Sequence, residues 1–401
     1  MPATRLCIRL FVTLAILAFT LTTSTPAPAQ AVNVLYSSTG PNPQAAVTFN
    51  AAGDLFWTAN TLVNELTPQT GGGFSYSIPF ASDNDSDPEG TVVFDSAGNL
   101  YGVAGPFKGN DGYVFELSPV AGGGWTEQTI YTFSATGKRG SSPYVGLTID
   151  SSGNLYGTTA YGGAYGGPQS GGTVFELSPP QAGGPWVQKV LHNFGNGLDG
   201  QLPWSSLILD SAGNLYGTTQ IGGEYTYGTV YELTHQPGGT WKETILHTFS
   251  LDADGQAPYN NLALDAAGNL YGATIRGGYE GLGTVFELSP QANGTWSEKI
   301  LHGFSGRDGS SPYSGVTLDS AGNIYGTTFS GGAVHDAGII FELVPKGNGN
   351  YSEKVLHGFT GTDGDGANPL AGVVFGPDGN LYGTTEAGGT NGEGTVYEIA
   401  P

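Results

Sequence analysis

Four proline–aromatic steps recur through the middle of the chain: Pro143-Tyr144, Pro203-Trp204, Pro258-Tyr259 and Pro312-Tyr313. Asp199, Asp254 and Asp308 stand five residues before three of these rings. An arc of aromatic faces with carboxylates beside it suits stacking on a neutral sugar, or a cation held by ring faces. The competing use of such rings is packing between structural units. A second candidate is acidic. Asp83, Asp85 and Asp87 alternate along one stretch, the spacing at which calcium takes hard oxygen ligands. That stretch lacks the glycine at position six and the glutamate at position twelve of an EF-hand loop. An Asx-turn in a solvated linker is the rival reading. Asp252/Asp254 and Asp363/Asp365 repeat the spacing more weakly.

His192, His247, His302 and His357 recur at one place of a repeated unit, and Tyr131 and Tyr36 hold the same slot in two other copies. Successive copies belong to separate units, so the histidines do not gather on one ion. Packing or hydrogen bonding is their expected role. Glu65, Glu116, Glu176, Glu232, Glu287, Glu342 and Glu398 also recur, and read as internal acceptors within each unit. His335 beside Asp336 is thin support for acid–base work. No Ser-His-Asp set and no singular carboxylate pair for glycoside hydrolysis stands out.

The elements that must carry these residues are set by a repeat. Gly-Asn-Leu/Ile-Tyr-Gly begins at Gly98, Gly153, Gly213, Gly268, Gly322 and Gly379, with a worn copy at Gly53. Such a period means stacked copies of one supersecondary unit. In one copy, residues 146–150, 155–159, 173–177 and 186–194 are short β-branched and aromatic runs bounded by Gly, Pro, Asn or Ser. They predict a four-stranded antiparallel meander. The third run occurs seven times and the fourth only six, because the chain ends after a third run. Val32 to Tyr36 aligns with Glu243 to His247 and supplies the missing strand. The expectation is all-β: a single seven-bladed β-propeller over residues 32–401, with four-stranded antiparallel blades, closed by the N-terminal strand completing the last blade. Turns between runs one and two, and three and four, share one face and are uniform. The loops between runs two and three share the other face with the linkers and vary, so a site is expected there, near the channel mouth. Trp57 leaves the repeat pattern and is expected to floor a notch in the rim.

The wording Asp-x-x-Gly-Asn-Leu-Tyr-Gly-Thr-Thr, then Gly-Gly, then Gly-Thr-Val-Phe-Glu-Leu, resembles the GloVer-type tandem repeat of secreted bacterial proteins. The resemblance spans residues 32–401 and is strongest in repeats three to seven. Repeat one departs at Asp54 to Trp57, and repeat two at Val103 to Phe107. It implies secretion and carries over no catalytic residue.

The first 31 residues fit that expectation. Arg5 and Arg9 precede the apolar run Leu10 to Leu21, and Ala27-Pro28-Ala29 is a small-residue cleavage site. This is the pattern of a secretory signal peptide, and predicts an extracellular or periplasmic protein without a transmembrane anchor. The single cysteine, Cys7, leaves with it, so packing and not disulfides must hold the fold. Twelve Lys+Arg face 34 Asp+Glu, a net charge of −22, which excludes nucleic acid and anionic membrane as partners. Charged residues make up only 11%, too few for a disordered polyanion. The sequence reads as a secreted or cell-surface monomer that binds without catalysis. Carbohydrate is the expected ligand, a glycan or another extracellular protein the partner, and calcium the cofactor at the acidic linkers. The alternatives are an extracellular hydrolase or lyase acting on polysaccharide at the channel mouth, and a passive structural repeat module.

Overall fold

The Asp-x-x-Gly-Asn word makes the tight turn between the first and second strands of a blade. Asp150 Oδ1 accepts the amides of Ser152 and Asn154 at 2.8 and 2.9 Å. Its Oδ2 accepts Asn154 Nδ2 at 2.8 Å and the Tyr156 hydroxyl at 3.1 Å. Gly153 sits at φ 82°, where a side chain would be strained. The following Tyr-Gly step has a packing reason. A Cβ on Gly157 would meet the Phe175 ring of the third strand at 2.6 Å. The Thr-Thr step joins blades. Thr158 donates to the Ser205 carbonyl of the next blade at 3.2 Å, and Thr58, Thr327 and Thr384 make the equivalent bond, while Thr218 donates to the Pro258 carbonyl. Thr159 meets the Thr173 hydroxyl inside its own blade at 2.9 Å.

The computed structural model describes residues 32–82, 88–106, 111–134, 138–167, 169–181, 183–250, 254–259 and 261–401. The leader at 1–31 and the calcium candidates Asp83, Asp85 and Asp87 lie outside the described residues, as does Asp252. Within them the chain is all-β: seven four-stranded antiparallel blades in a propeller, with no helix. The third blade runs Thr148–Ile149, Leu155–Thr159, Thr173–Ser178 and Val187–Asn193 in strand order. The seventh runs Val374–Phe375, Leu381–Thr385 and Thr395–Ile399, and its fourth strand is Asn33–Ser37. Asn33 pairs with Glu398 and Tyr36 with Val396, antiparallel. The N-terminal strand therefore closes the ring, as the missing fourth run predicted.

Two features differ from the sequence reading. The first strand is shorter than residues 146–150, because pairing is confined to Thr148 and Ile149. Two small ribbons were not anticipated: Gly200–Gln201 with Ile221–Gly222, and Gly366–Ala367 with Ala387–Gly388. Each ties a linker to the loop between strands two and three of the following blade. The core is divided among the seams between blades. One cluster joins Tyr156, Val174 and Phe194 of blade three to Leu207, Leu215 and Tyr231 of blade four. Trp57 floors no notch. It is 1% exposed and packs in the seam between blades seven and one with Tyr382 and Val396. Trp57 pairs with Asn64, where Gly157 pairs with Phe175. The large and small residues have traded strands, which conserves volume at that layer.

Candidate functional site

Each first strand begins just after a linker proline, and the residue after that proline points toward the axis. Gln44, Glu89, Tyr144, Trp204, Tyr259, Tyr313 and Leu370 come one from each blade and together line an axial cavity of about 290 Å³. The backbone before them is held under strain. Ser142, Leu202, Ala257, Ser311 and Asn368 precede their prolines at φ between 53° and 62°, a costly region for non-glycine residues. Two hydrogen bonds clamp each one. The Leu202 amide donates to Gly171 in the preceding blade at 2.9 Å, and its carbonyl accepts the Gln220 amide at 3.0 Å. The proline ring needs a glycine beneath it: a Cβ on Gly172 would meet Pro203 at 2.4 Å, and one on Gly228 would meet Pro258 at 2.7 Å. The Gly before the third strand in blades two to seven is thus required by the next linker.

This clamp sets four rings in a ladder. Tyr144 and Trp204 stack with centroids 5.0 Å apart at 25°, and Trp204 and Tyr259 are 5.0 Å apart at 35°. Tyr313 meets Tyr259 edge-on at 6.0 Å. All four are half-buried. They pack on one another across blade boundaries and keep part of their surface on the cavity. Trp204 Nε1 is buried without a hydrogen-bond partner. Burial, and then the negative charge of Glu89, hold the Tyr259 hydroxyl protonated well above its ordinary range. Among the described residues neither Lys nor Arg lines the cavity; the polar side chains there are amides, hydroxyls, the Trp204 indole and the Glu89 carboxylate.

Asp199, Asp254 and Asp308 are not in that lining. They lie in the seams between blades, each against a fourth-strand histidine. His192 Nε2 is 3.2 Å from Asp199, His247 Nε2 3.1 Å from Asp254, and His302 Nε2 3.3 Å from Asp308. A glutamate from the fourth strand of the next blade joins each pair: Glu243, Glu298 and Glu353. The histidines do not converge on one another, as the sequence indicated, but each reaches two carboxylates. Burial, then the charge of Asp199, push Glu243 well above the carboxylate range. Glu298 is raised to about 9 by burial and then by Asp254, and Glu353 to about 7 by burial and then by Asp308. Burial works against ionised Asp254 too, but hydrogen bonds from His247, Glu298 and Ser250 outweigh it and lower it to about 2.

Other sequence candidates fall into place. Glu232 accepts the Tyr216 hydroxyl at 2.9 Å, and Glu342 accepts Lys354 at 3.0 Å, so these recurrent glutamates serve the blade. His335 is exposed and joins no constellation among the described residues. The sequence reading missed Gln44, Glu89 and Leu370, although each follows a linker proline. It also missed the seam glutamates, whose signal is a Glu four residues before a recurrent His.

The sequence model of the Gloeobacter/Verrucomicrobia repeat matches residues 105–300, 164–364 and 291–401. The chain belongs to that repeat family. It has no match among curated proteins. Among solved structures it is similar to a streptogramin B lyase at 15% identity and TM-score 0.56, covering 94% of this chain and 99% of that one. It is similar to virginiamycin B lyase from Staphylococcus aureus at 12% identity and TM-score 0.55, covering 92% and 98%. The extracellular domain of BT4673 from B. thetaiotaomicron matches at 11% identity and TM-score 0.57, covering 92% of this chain and 39% of that one. At these identities the likeness is one of fold. No helix among the described residues is long and apolar enough to cross a membrane.

Proposed function

We propose that this protein is a secreted binding protein whose channel mouth takes a neutral saccharide. The observation that carries the reading is the unbroken ladder of Tyr144, Trp204, Tyr259 and Tyr313 along a cavity with no Lys or Arg among its described lining residues. Sugar C–H faces stack on such rings, and sugar hydroxyls pair with amides and hydroxyls like those beside them. A concave, preformed pocket is the usual form of a small-ligand site. The clamped linkers add rigidity, which lowers the ordering cost of binding. Secretion rests on the leader pattern at residues 1–31.

A panel of neutral polysaccharides and oligosaccharides, scored for both retention and breakdown, tests this reading. The mature protein should retain at least one, and Trp204→Ala should weaken retention at least tenfold while its β-sheet circular dichroism persists. Trp204→Phe, which keeps a ring in the ladder, should recover part of the loss. Undiminished retention by Trp204→Ala refutes the site. Release of shortened products replaces simple binding with a hydrolase or lyase acting at the same cavity.

A further inference from the structure

The seams hold a second kind of chemistry, independent of the saccharide reading. His192 on the fourth strand of blade three, Asp199 on the linker and Glu243 on the fourth strand of blade four each present one ligand atom, all within 4.8 Å of one another. His192 Nε2 lies 3.2 Å from Asp199 Oδ2 and 3.6 Å from Glu243 Oε2. Donors placed about 2.0–2.2 Å from a tetrahedral zinc ion are separated by roughly 3.3–3.6 Å, so the two edges that meet at His192 are close to the edge length of such a site. Lone pairs are left over. Asp199 Oδ1 and Glu243 Oε1 are buried and meet no donor, and the Asp199 side chain is only 7% exposed. Two facing carboxylates repel unless a proton or a cation stands between them.

The next two seams repeat the arrangement with His247, Asp254 and Glu298, and with His302, Asp308 and Glu353. Glu298 Oε1, Glu353 Oε1 and His302 Nε2 are likewise buried without a hydrogen-bond partner. His302 Nε2 lies 3.3 Å from Asp308 but without hydrogen-bond geometry.

We propose that these three seams bind divalent transition cations of the zinc class, each held by one imidazole and two carboxylates from adjacent blades. An imidazole in the donor set favours zinc and its neighbours over magnesium or calcium. Three protein ligands leave a fourth position for water. The adjoining seams serve as internal controls. Between blades six and seven, His357 and Asp365 pair at 3.1 Å, but Val32 takes the glutamate's place one step before Asn33, and packs against the apolar cluster there. Between blades two and three, Tyr131 and Gln188 stand in the histidine and glutamate slots, and Gln188 donates to the Arg139 carbonyl. The three complete sets join blades three to six, the same four blades that carry the aromatic ladder. Each cation would staple two neighbouring rungs.

The test is calorimetric titration of the metal-stripped mature protein with zinc chloride, with bound metal counted. About three equivalents should bind, and the melting temperature should rise, since the ion binds the folded state. The triple variant Glu243→Gln/Glu298→Gln/Glu353→Gln should lose all three equivalents and the thermal gain, whereas His357→Gln should keep them. Absence of zinc binding by the wild type, or an unchanged stoichiometry in the triple variant, overturns the proposal and leaves a shared proton in each seam. Should the triple variant not fold, X-ray absorption on the zinc-loaded wild type decides. One imidazole nitrogen among oxygens supports the assignment, and an all-oxygen shell overturns it.

Discussion

On the face that carries the Asp-x-x-Gly-Asn turns, five blades repeat the same bonds: Asp95, Asp150, Asp210, Asp265 and Asp319 each accept two backbone amides and an Asn side chain. On the opposite face the residue after the linker proline changes from Gln to Glu, Tyr, Trp and Leu around the ring. Backbone strain divides the same way. Of the described non-glycine residues at positive φ, Asn348 alone lies on a turn between strands three and four, and the others lie in linkers and loops of the opposite face. The Asp-x-x-Gly-Asn turns of one face are built by repetition and bonded within each blade. The other face is strained, bonded across blades, and differs from blade to blade. The contrast says where substitution should cost stability and where it should cost binding.

Both faces presuppose a closed ring, so the largest expected effect comes from opening it. Deleting residues 32–38 removes the fourth strand of blade seven and exposes the edge at Thr395–Ile399. Loss of cooperative melting, with aggregation, is expected in a thermal scan followed by light scattering. An unchanged melting profile would break the closure, and the face comparison with it.

The next effect separates the faces. Asp150→Ala removes an acceptor of four hydrogen bonds and should cost on the order of 1–3 kcal/mol in denaturant unfolding, with saccharide retention unchanged. Its acid response follows from charge. Burial opposes the ionised form, but hydrogen bonds from the Asn154 side chain, the Asn154 and Ser152 amides and Tyr156 outweigh it and lower the pKa of Asp150. The same balance lowers Asp95, Asp265 and Asp319. A folded-state pKa below the unfolded value of about 3.9 gives stability that is fully present above that value and is lost as pH falls through the folded one. Unfolding free energy should therefore drop below about pH 4, and less steeply in Asp150→Ala. Equal slopes in the two proteins would remove the turn carboxylates from the explanation.

The turn face was legible because the bonds of its Asp-x-x-Gly-Asn turns are local. Asp150, Gly153, Asn154 and Tyr156 sit within seven residues and recur, so the strands, the blade count and the borrowed strand Val32 to Tyr36 follow from spacing. The aromatic arc was half legible. Its four rings announced themselves by type, while Gln44, Glu89 and Leu370 share the position without sharing the chemistry. The seam sets were not legible as sets. His192 and Asp199 are seven residues apart, but Glu243 comes from the next blade and meets them only through packing between blades. Trp57 was misplaced for a related reason: its exchange of size with Asn64 is a fact about paired strands, which a linear repeat alignment does not display.

The smallest expected effect lies at the rim of the varied face. Tyr165, Tyr225, Tyr279 and Val334 are exposed on the loops between strands two and three of blades three to six, and Tyr279 is 95% exposed. These are again the blades of the aromatic ladder. A ring so exposed contributes little to folding, so Tyr279→Ser should change unfolding free energy by less than about 0.5 kcal/mol. Its consequence for binding depends on ligand length. A short saccharide confined to the cavity of about 290 Å³ does not reach the rim, whereas a polymer leaving the channel mouth crosses it. Retention of an oligosaccharide should be unchanged in Tyr279→Ser, and retention of the parent polysaccharide should fall a few-fold, roughly the 1 kcal/mol of one partly solvated stacking contact. Equal retention of both would confine binding to the cavity. A comparable loss for both would move the short ligand out to the rim, and the axial ladder would lose its place as the site.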